Sequence, residues 1–213
     1  MSEIKRIYVA WKAGDRRELL ASIDRDGTEV RFRYILSEQE MREQGISPLV
    51  DFPCGKEYTK NVLDILSLRL NDPARPDIEK YYNFWEIPAE KHTDTFYLLA
   101  HTQGLLATDN YEFLAEYELS KDLRFVSEIC GLSHTSIKPG AISIGEKLRW
   151  EREPNNGYDP YAVALYAGDL KLGHVKVVHN RVFATERANG LSVRVKSIET
   201  NEHINRVLVS VGF

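Results

Sequence analysis

A chain of 213 residues, 43% hydrophobic and 28% charged, can bury one large core or two small ones, and it has no segment poor enough in apolar residues for long disorder. No apolar run approaches the roughly 18 residues of a membrane helix, no apolar signal region follows the start Met-Ser-Glu-Ile-Lys-Arg, and Cys54 and Cys130 lie far apart without a C-x-x-C pair. The expectation is a cytoplasmic protein in a reducing compartment, with no membrane partner.

The net charge of −4 is unevenly spread. Residues 1–123 carry 16 Lys+Arg against 23 Asp+Glu, while residues 124–213 carry 12 against 9. A phosphate backbone would be met on the basic half.

The chain opens with β signals. Residues 4–11 and 28–36 are rich in β-branched and aromatic residues, and the second run alternates, with Val30, Phe32 and Tyr34 on one face and Arg31 and Arg33 on the other. Asp26-Gly27 marks a hairpin turn before it, so strand, strand through Leu19–Ile23, turn and strand form a meander. Helical spacing follows. Thr59 can cap a helix carrying Val62, Leu63, Ile65, Leu66 and Leu70, ended by Pro73 and Pro76. A second helix starts at Asp77 and bears Ile78, Tyr81, Tyr82 and Trp85, and a third runs near Phe96–Ala100. After Gly104, residues 111–119 return to strand. With Phe84, the aromatic cluster Tyr81, Tyr82 and Trp85 reads as core or as a docking surface.

From Arg124 the pattern is almost wholly β. Six strands are expected at 124–132, 142–152, 161–166, 170–178, 191–198 and 207–211, separated by Lys138-Pro139-Gly140, Pro154-Asn155-Asn156-Gly157, Gly168-Asp169 and Asn189-Gly190. One short helix, 180–188, fits between the fourth and fifth, with Asn180 as its cap. The fold class is therefore α+β: an N-terminal α+β module over 1–123, then a small OB-like β-barrel over 124–213.

The run from Gly145 to Leu165, containing Pro154-Asn155-Asn156-Gly157-Tyr158-Asp159, resembles a HIRAN domain. So do Leu172-Gly173-His174-Val175 downstream and Gly131-Leu132 upstream. The resemblance covers about 124–213 and implies a barrel that holds single-stranded DNA or a DNA end, as in fork-remodelling helicases. It further implies that Tyr158 offers a ring to a base and that Asp159 accepts from a terminal hydroxyl. Asn156 would order the loop, and His174 and Lys176 would meet phosphates. Where those helicase domains have a basic-aromatic pair after Gly-Leu, this chain has Ser133 and His134, so only His134 can stack or meet phosphate. Arg149 and Arg152 add positive charge around the loop. The N-terminal half more faintly resembles the small N-terminal subdomain of HipA-type toxin kinases, through Leu19–Ile23, Phe32-Arg33-Tyr34 and Pro48-Leu49-Val50-Asp51-Phe52-Pro53, without the kinase body.

Plainer roles exist for the same residues. Asn155-Asn156-Gly157 can be only a turn, with Asp159 bonding its N–H groups. Tyr158 can be a core aromatic and His174 a half-buried histidine, while Arg149, Arg152, Lys171, Lys176 and Arg181 can form a solvated face. Walker A, G-x-G-x-x-G and G-x-S-x-G sequences are absent. His174 and His179 are five apart, a spacing that on a strand puts them on opposite faces, unsuited to joint metal ligation. No cofactor and no metal are expected, and no enzyme. Asp159 with Asp169-Leu170-Lys171 keeps a metal-dependent nuclease as a minor alternative. The expected partner is nucleic acid, with a protein partner or self-association through 1–123. The competing class is an adaptor or toxin–antitoxin-like regulator without nucleic-acid affinity; genome maintenance or phage defence rests on analogy alone.

Overall fold

The computed structural model describes residues 3–14 and 16–213; Met1 and Ser2, the first residues of the segment read as lacking a signal, lie outside them. The chain divides into two compact units, Ile4–Glu116 and Tyr117–Phe213. No helix among the described residues is long and apolar enough to cross a membrane.

In the first unit, strands β1 (Arg6–Ala13), β2 (Arg16–Asp26), β3 (Glu29–Tyr34) and β4 (Tyr111–Ala115) form an antiparallel sheet in the order β3-β2-β1-β4. Asp26 pairs with Glu29 across a turn at which Gly27 takes a φ of +56°, as the Asp-Gly signal predicts. The alternation in β3 also holds: Val30 and Phe32 are buried, Arg31 and Arg33 exposed. Phe32 stacks on Phe52 with ring centres 4.4 Å apart, in a core that includes Ile7, Val9, Ile23, Phe96 and Phe113.

Four helices connect β3 to β4: α1 (Glu38–Glu43), α2 (Val62–Ser67), α3 (Ile78–Phe84) and α4 (Thr95–Thr102). The helix expected to be capped by Thr59 is displaced by two residues, beginning at Val62 with Asn61 before it in a left-handed conformation. Just before it, Tyr58 exchanges backbone hydrogen bonds with Phe32 and so ties this stretch to β3. Helix α1 is absent from the sequence reading, although Ser37 and Glu40 form the reciprocal cap of an S-x-x-E motif. In α3 and just after it, Tyr82 and Trp85 are buried, Tyr81 and Phe84 only partly.

The second unit is a closed barrel of six antiparallel strands: β5 (Arg124–Cys130), β6 (Lys147–Arg152), β7 (Val163–Ala167), β8 (Leu170–Val175), β9 (Ser192–Thr200) and β10 (Ile204–Gly212), in the order β10-β5-β8-β7-β6-β9. Phe125, Leu148, Val163, Leu165, Val193, Val195, Val209 and Val211 are buried. Closure pairs every strand on both sides. Gly173 lies so near β5 that a Cβ there would stand 2.2 Å from the Cys130 carbonyl oxygen. The Leu-Gly-His sequence thus has a packing reason: only glycine lets β8 approach β5 that closely.

Two expectations for this half are corrected. Strand β8 stops at Val175, because Val178 takes a φ of +71° and turns the chain, so His179 does not share a strand with His174. The helix expected over 180–188 is instead two 3-10 segments, His179–Ala184 and Glu186–Gly190, interrupted where Thr185 is extended. Asn180 is no cap; it is buried inside the first segment.

Candidate nucleic-acid interface

The connection between β6 and β7 carries most of the expected site. Its base is closed by backbone hydrogen bonds, from the Glu153 N–H to the Ala162 carbonyl (2.8 Å) and from the Ala162 N–H to the Asp159 carbonyl (3.0 Å). Within it, the Asn156 side-chain oxygen accepts from the backbone N–H groups of Tyr158 (3.0 Å) and Asp159 (3.3 Å), while its amide donates to Glu153 Oε2 (3.1 Å). Asparagine suits this position because it can satisfy local backbone donors while still donating. Asn156 therefore orders the loop.

Asp159 ties the loop down twice. Its Oδ1 accepts from the Tyr161 N–H (2.8 Å) and its Oδ2 from the buried Asn180 amide (2.7 Å). This is the plainer role weighed for it, extended to a link with the 3-10 segment after β8. A carboxylate has about four acceptor positions, so a further donor can still be received. The result at the loop tip is Tyr158, 94% exposed. It is not a core aromatic. Tyr161 beside it is also exposed, with the Arg181 guanidinium 5.9 Å from its ring centre.

Behind the loop sits a residue the sequence reading passed over. Glu153 accepts from Lys171 Nζ (2.6 Å) and pairs with His174 Nε2 (2.9 Å), besides holding Asn156. The Lys171 hydrogen bond, with help from His174 and Asn156, brings its carboxyl down from 4.5 to about 2. His174, half-buried on β8, thus faces a carboxylate where a phosphate was expected. The signal available in the sequence was the acidic residue directly before Pro154-Asn155-Asn156.

Lys176 is the clear correction. Its side chain is 0% exposed and its ammonium lies 3.1 Å from Glu128 Oε2. Cys130 pairs with His174 across β5 and β8, and the same antiparallel register, continued two residues, sets Glu128 opposite Lys176. A buried cation with a carboxylate beside it serves the fold and cannot reach a phosphate.

The remaining residues are at the surface. His134 is exposed at the end of the 3-10 turn Leu132–His134, which leaves β5 beside the row that holds His174. Arg149, midway along β6, pairs with Glu151 and lies 4.2 Å over the Tyr166 ring. Arg152, exposed, ends β6 next to the loop. Asn156, Tyr158, Asp159, Arg152 and, through Glu153, His174 therefore gather at one end of β6–β8, and Lys176 does not join them. Asp169 and Lys171 stand on the β7–β8 turn and the start of β8, with Lys171 held by Glu153. Among the described residues, no three His, Cys, Asp or Glu side chains cluster as metal ligands would.

Residues 123–212 match the HIRAN domain family. This part of the chain is a HIRAN domain. HIRAN domains are DNA-binding domains, which supports a nucleic-acid-binding role for the barrel. Two solved structures are similar to it. The HIRAN domain of human HLTF is 16% identical, with 41% of this chain and 74% of that one covered and a TM-score of 0.32. A protein from Lactobacillus plantarum is 19% identical, with 43% and 99% covered and a TM-score of 0.32. No curated protein matches the chain.

Proposed function

We propose that the HIRAN domain binds unpaired nucleic acid, single-stranded DNA or a DNA end, and does so without chemistry of its own. The observation that carries this reading is Tyr158, a ring 94% exposed at the tip of a loop held by Asn156 and by the Asp159–Asn180 bond. An aromatic side chain this open, on a loop this constrained, is suited to stacking on a base, which contributes about 1–3 kcal/mol whatever the base. Arg152 and Arg181 flank the loop with positive charge for the backbone. Glu153 and Asp159 are engaged by protein donors, which favours structural work over holding a catalytic ion. A domain of this kind suits genome maintenance or phage defence.

The test is fluorescence anisotropy with single-stranded, duplex, 3′-blocked and 5′-tailed DNA. Tyr158→Ala should weaken single-strand binding roughly 5- to 150-fold, the range that stacking energy implies, with an unchanged circular dichroism spectrum. Equal affinity in the variant removes the stacking role. Incubation of end-labelled DNA with Mg²⁺ or Mn²⁺ addresses the nuclease, and cleavage would overturn the non-enzymatic reading.

A further inference from the structure

On the outer face of the barrel, well back from the Tyr158 loop, the register of β6 and β9 places Lys147 directly opposite Arg194. Side chains so paired have Cβ atoms about 5 Å apart, and like charges there are unfavourable. Both residues are exposed. Of the neighbouring acids, the Glu146 carboxylate accepts from the Ser143 N–H (2.9 Å) and Glu151 pairs with Arg149. Arg194 donates to the Gly145 carbonyl (3.1 Å), which gains it no negative charge.

Arg149 stands two residues further along β6 on the same face, roughly 7 Å from Lys147 by strand geometry. Its position over Tyr166 fixes the guanidinium on that face. Three basic residues thus run from β9 across β6 toward the loop end of the barrel, the last of them, Arg149, already paired with Glu151. We propose that Arg194, Lys147 and Arg149 form a track for the phosphate backbone of a single-stranded nucleic acid whose unpaired base is held at Tyr158. The track rests on the function proposed above and adds a length to it: the site covers several nucleotides rather than a terminal one. The like-charge pair is what an anionic occupant explains, since counter-charge supplied by phosphates turns the unfavourable pairing into a binding feature.

The test compares wild type, a Lys147→Ser/Arg194→Ser double variant and Tyr158→Ala, each binding oligothymidylates of 3 and 12 nucleotides over a range of salt. Because both serine substitutions are on an exposed face and remove a like-charge pair, the thermal midpoint should not fall. The double variant should lose about tenfold affinity for the 12-mer and leave the 3-mer unchanged. Its log affinity–log salt slope should flatten by about 1.4, the contribution of two phosphates in a single strand. Tyr158→Ala should weaken both lengths. An unaltered 12-mer affinity and slope in the double variant, with Tyr158→Ala still impaired, overturns the track alone. Absence of binding to either length by wild type overturns both the track and the function beneath it. Binding of poly-glutamate in place of DNA, lost in the double variant, overturns the track in favour of an acidic protein partner.

Discussion

At the scale of single residues, Gly173 on β8 and Lys176 just beyond its end show how differently two nearby residues can be constrained. Gly173 is fixed by distance: any Cβ would meet the Cys130 carbonyl at 2.2 Å, and its φ of +155° disfavours other residues as well. Gly173→Ala should destabilise the HIRAN domain by about 3 kcal/mol or more, since β8 must move away from β5 to accept the methyl group. A shift in urea midpoint measures this, and a change within about 0.5 kcal/mol would contradict the close approach. Lys176 is fixed by charge. Strand alternation can say which face a side chain takes, but not whether that face is covered. Once β5 and β8 are paired, Glu128 becomes the evident counter-ion; in the sequence the two are 48 residues apart and nothing links them.

At the scale of elements, the β6–β7 loop behaves as one electrostatic unit around Glu153. Its carboxyl, lowered to about 2, is bonded chiefly by Lys171. A depressed carboxyl stabilises the folded form above its unfolded value of 4.5, and that contribution disappears as pH falls from 4.5 through about 2. NMR titration should place the wild-type Glu153 midpoint near 2, and Lys171→Met should raise it toward 4.5; an unmoved midpoint would show that Lys171 is not the principal partner. Much of this region was legible. The Pro-Asn-Asn-Gly turn, the strands on either side and the resemblance to HIRAN all came from the sequence. The Asp159–Asn180 bond did not, because it depends on how the chain packs after β8. The turn there hinges on Val178 at positive φ, a conformation no β-branched residue advertises. The missed helix α1 is the opposite case, since its Ser37–Glu40 cap was written in the local sequence.

At the scale of the whole chain, the two units have separate cores and so respond to acid over separate ranges. His101, in α4, is stacked on Tyr97 with ring centres 4.1 Å apart. Burial presses its imidazole from 6.5 down to about 4, against a hydrogen bond to the Trp85 backbone that acts the other way. A histidine with a lowered folded value takes up its proton more readily when unfolded. The first unit is therefore fully stabilised above 6.5 and weakens as pH falls toward 4, by up to about 3 kcal/mol at one pKa unit per 1.36 kcal/mol. Glu153 acts in the barrel only below 4.5. Urea melts between pH 7 and 4.5, followed by fluorescence in a Trp150→Phe variant that leaves Trp11 and Trp85 as reporters, should show this loss. His101→Phe should flatten it, and a pH slope that survives the substitution would point to another group.

The bond from Asn180 to Asp159 also bears on the entropic cost at which the proposed ligand would be taken up. A floppy loop would have to surrender its freedom when a base arrived, diminishing affinity by the ordering of each mobile side chain. Here the backbone around Tyr158 is already tied down in the folded protein, so under the proposed function a stacking nucleotide would have only the exposed ring's own rotamer left to order.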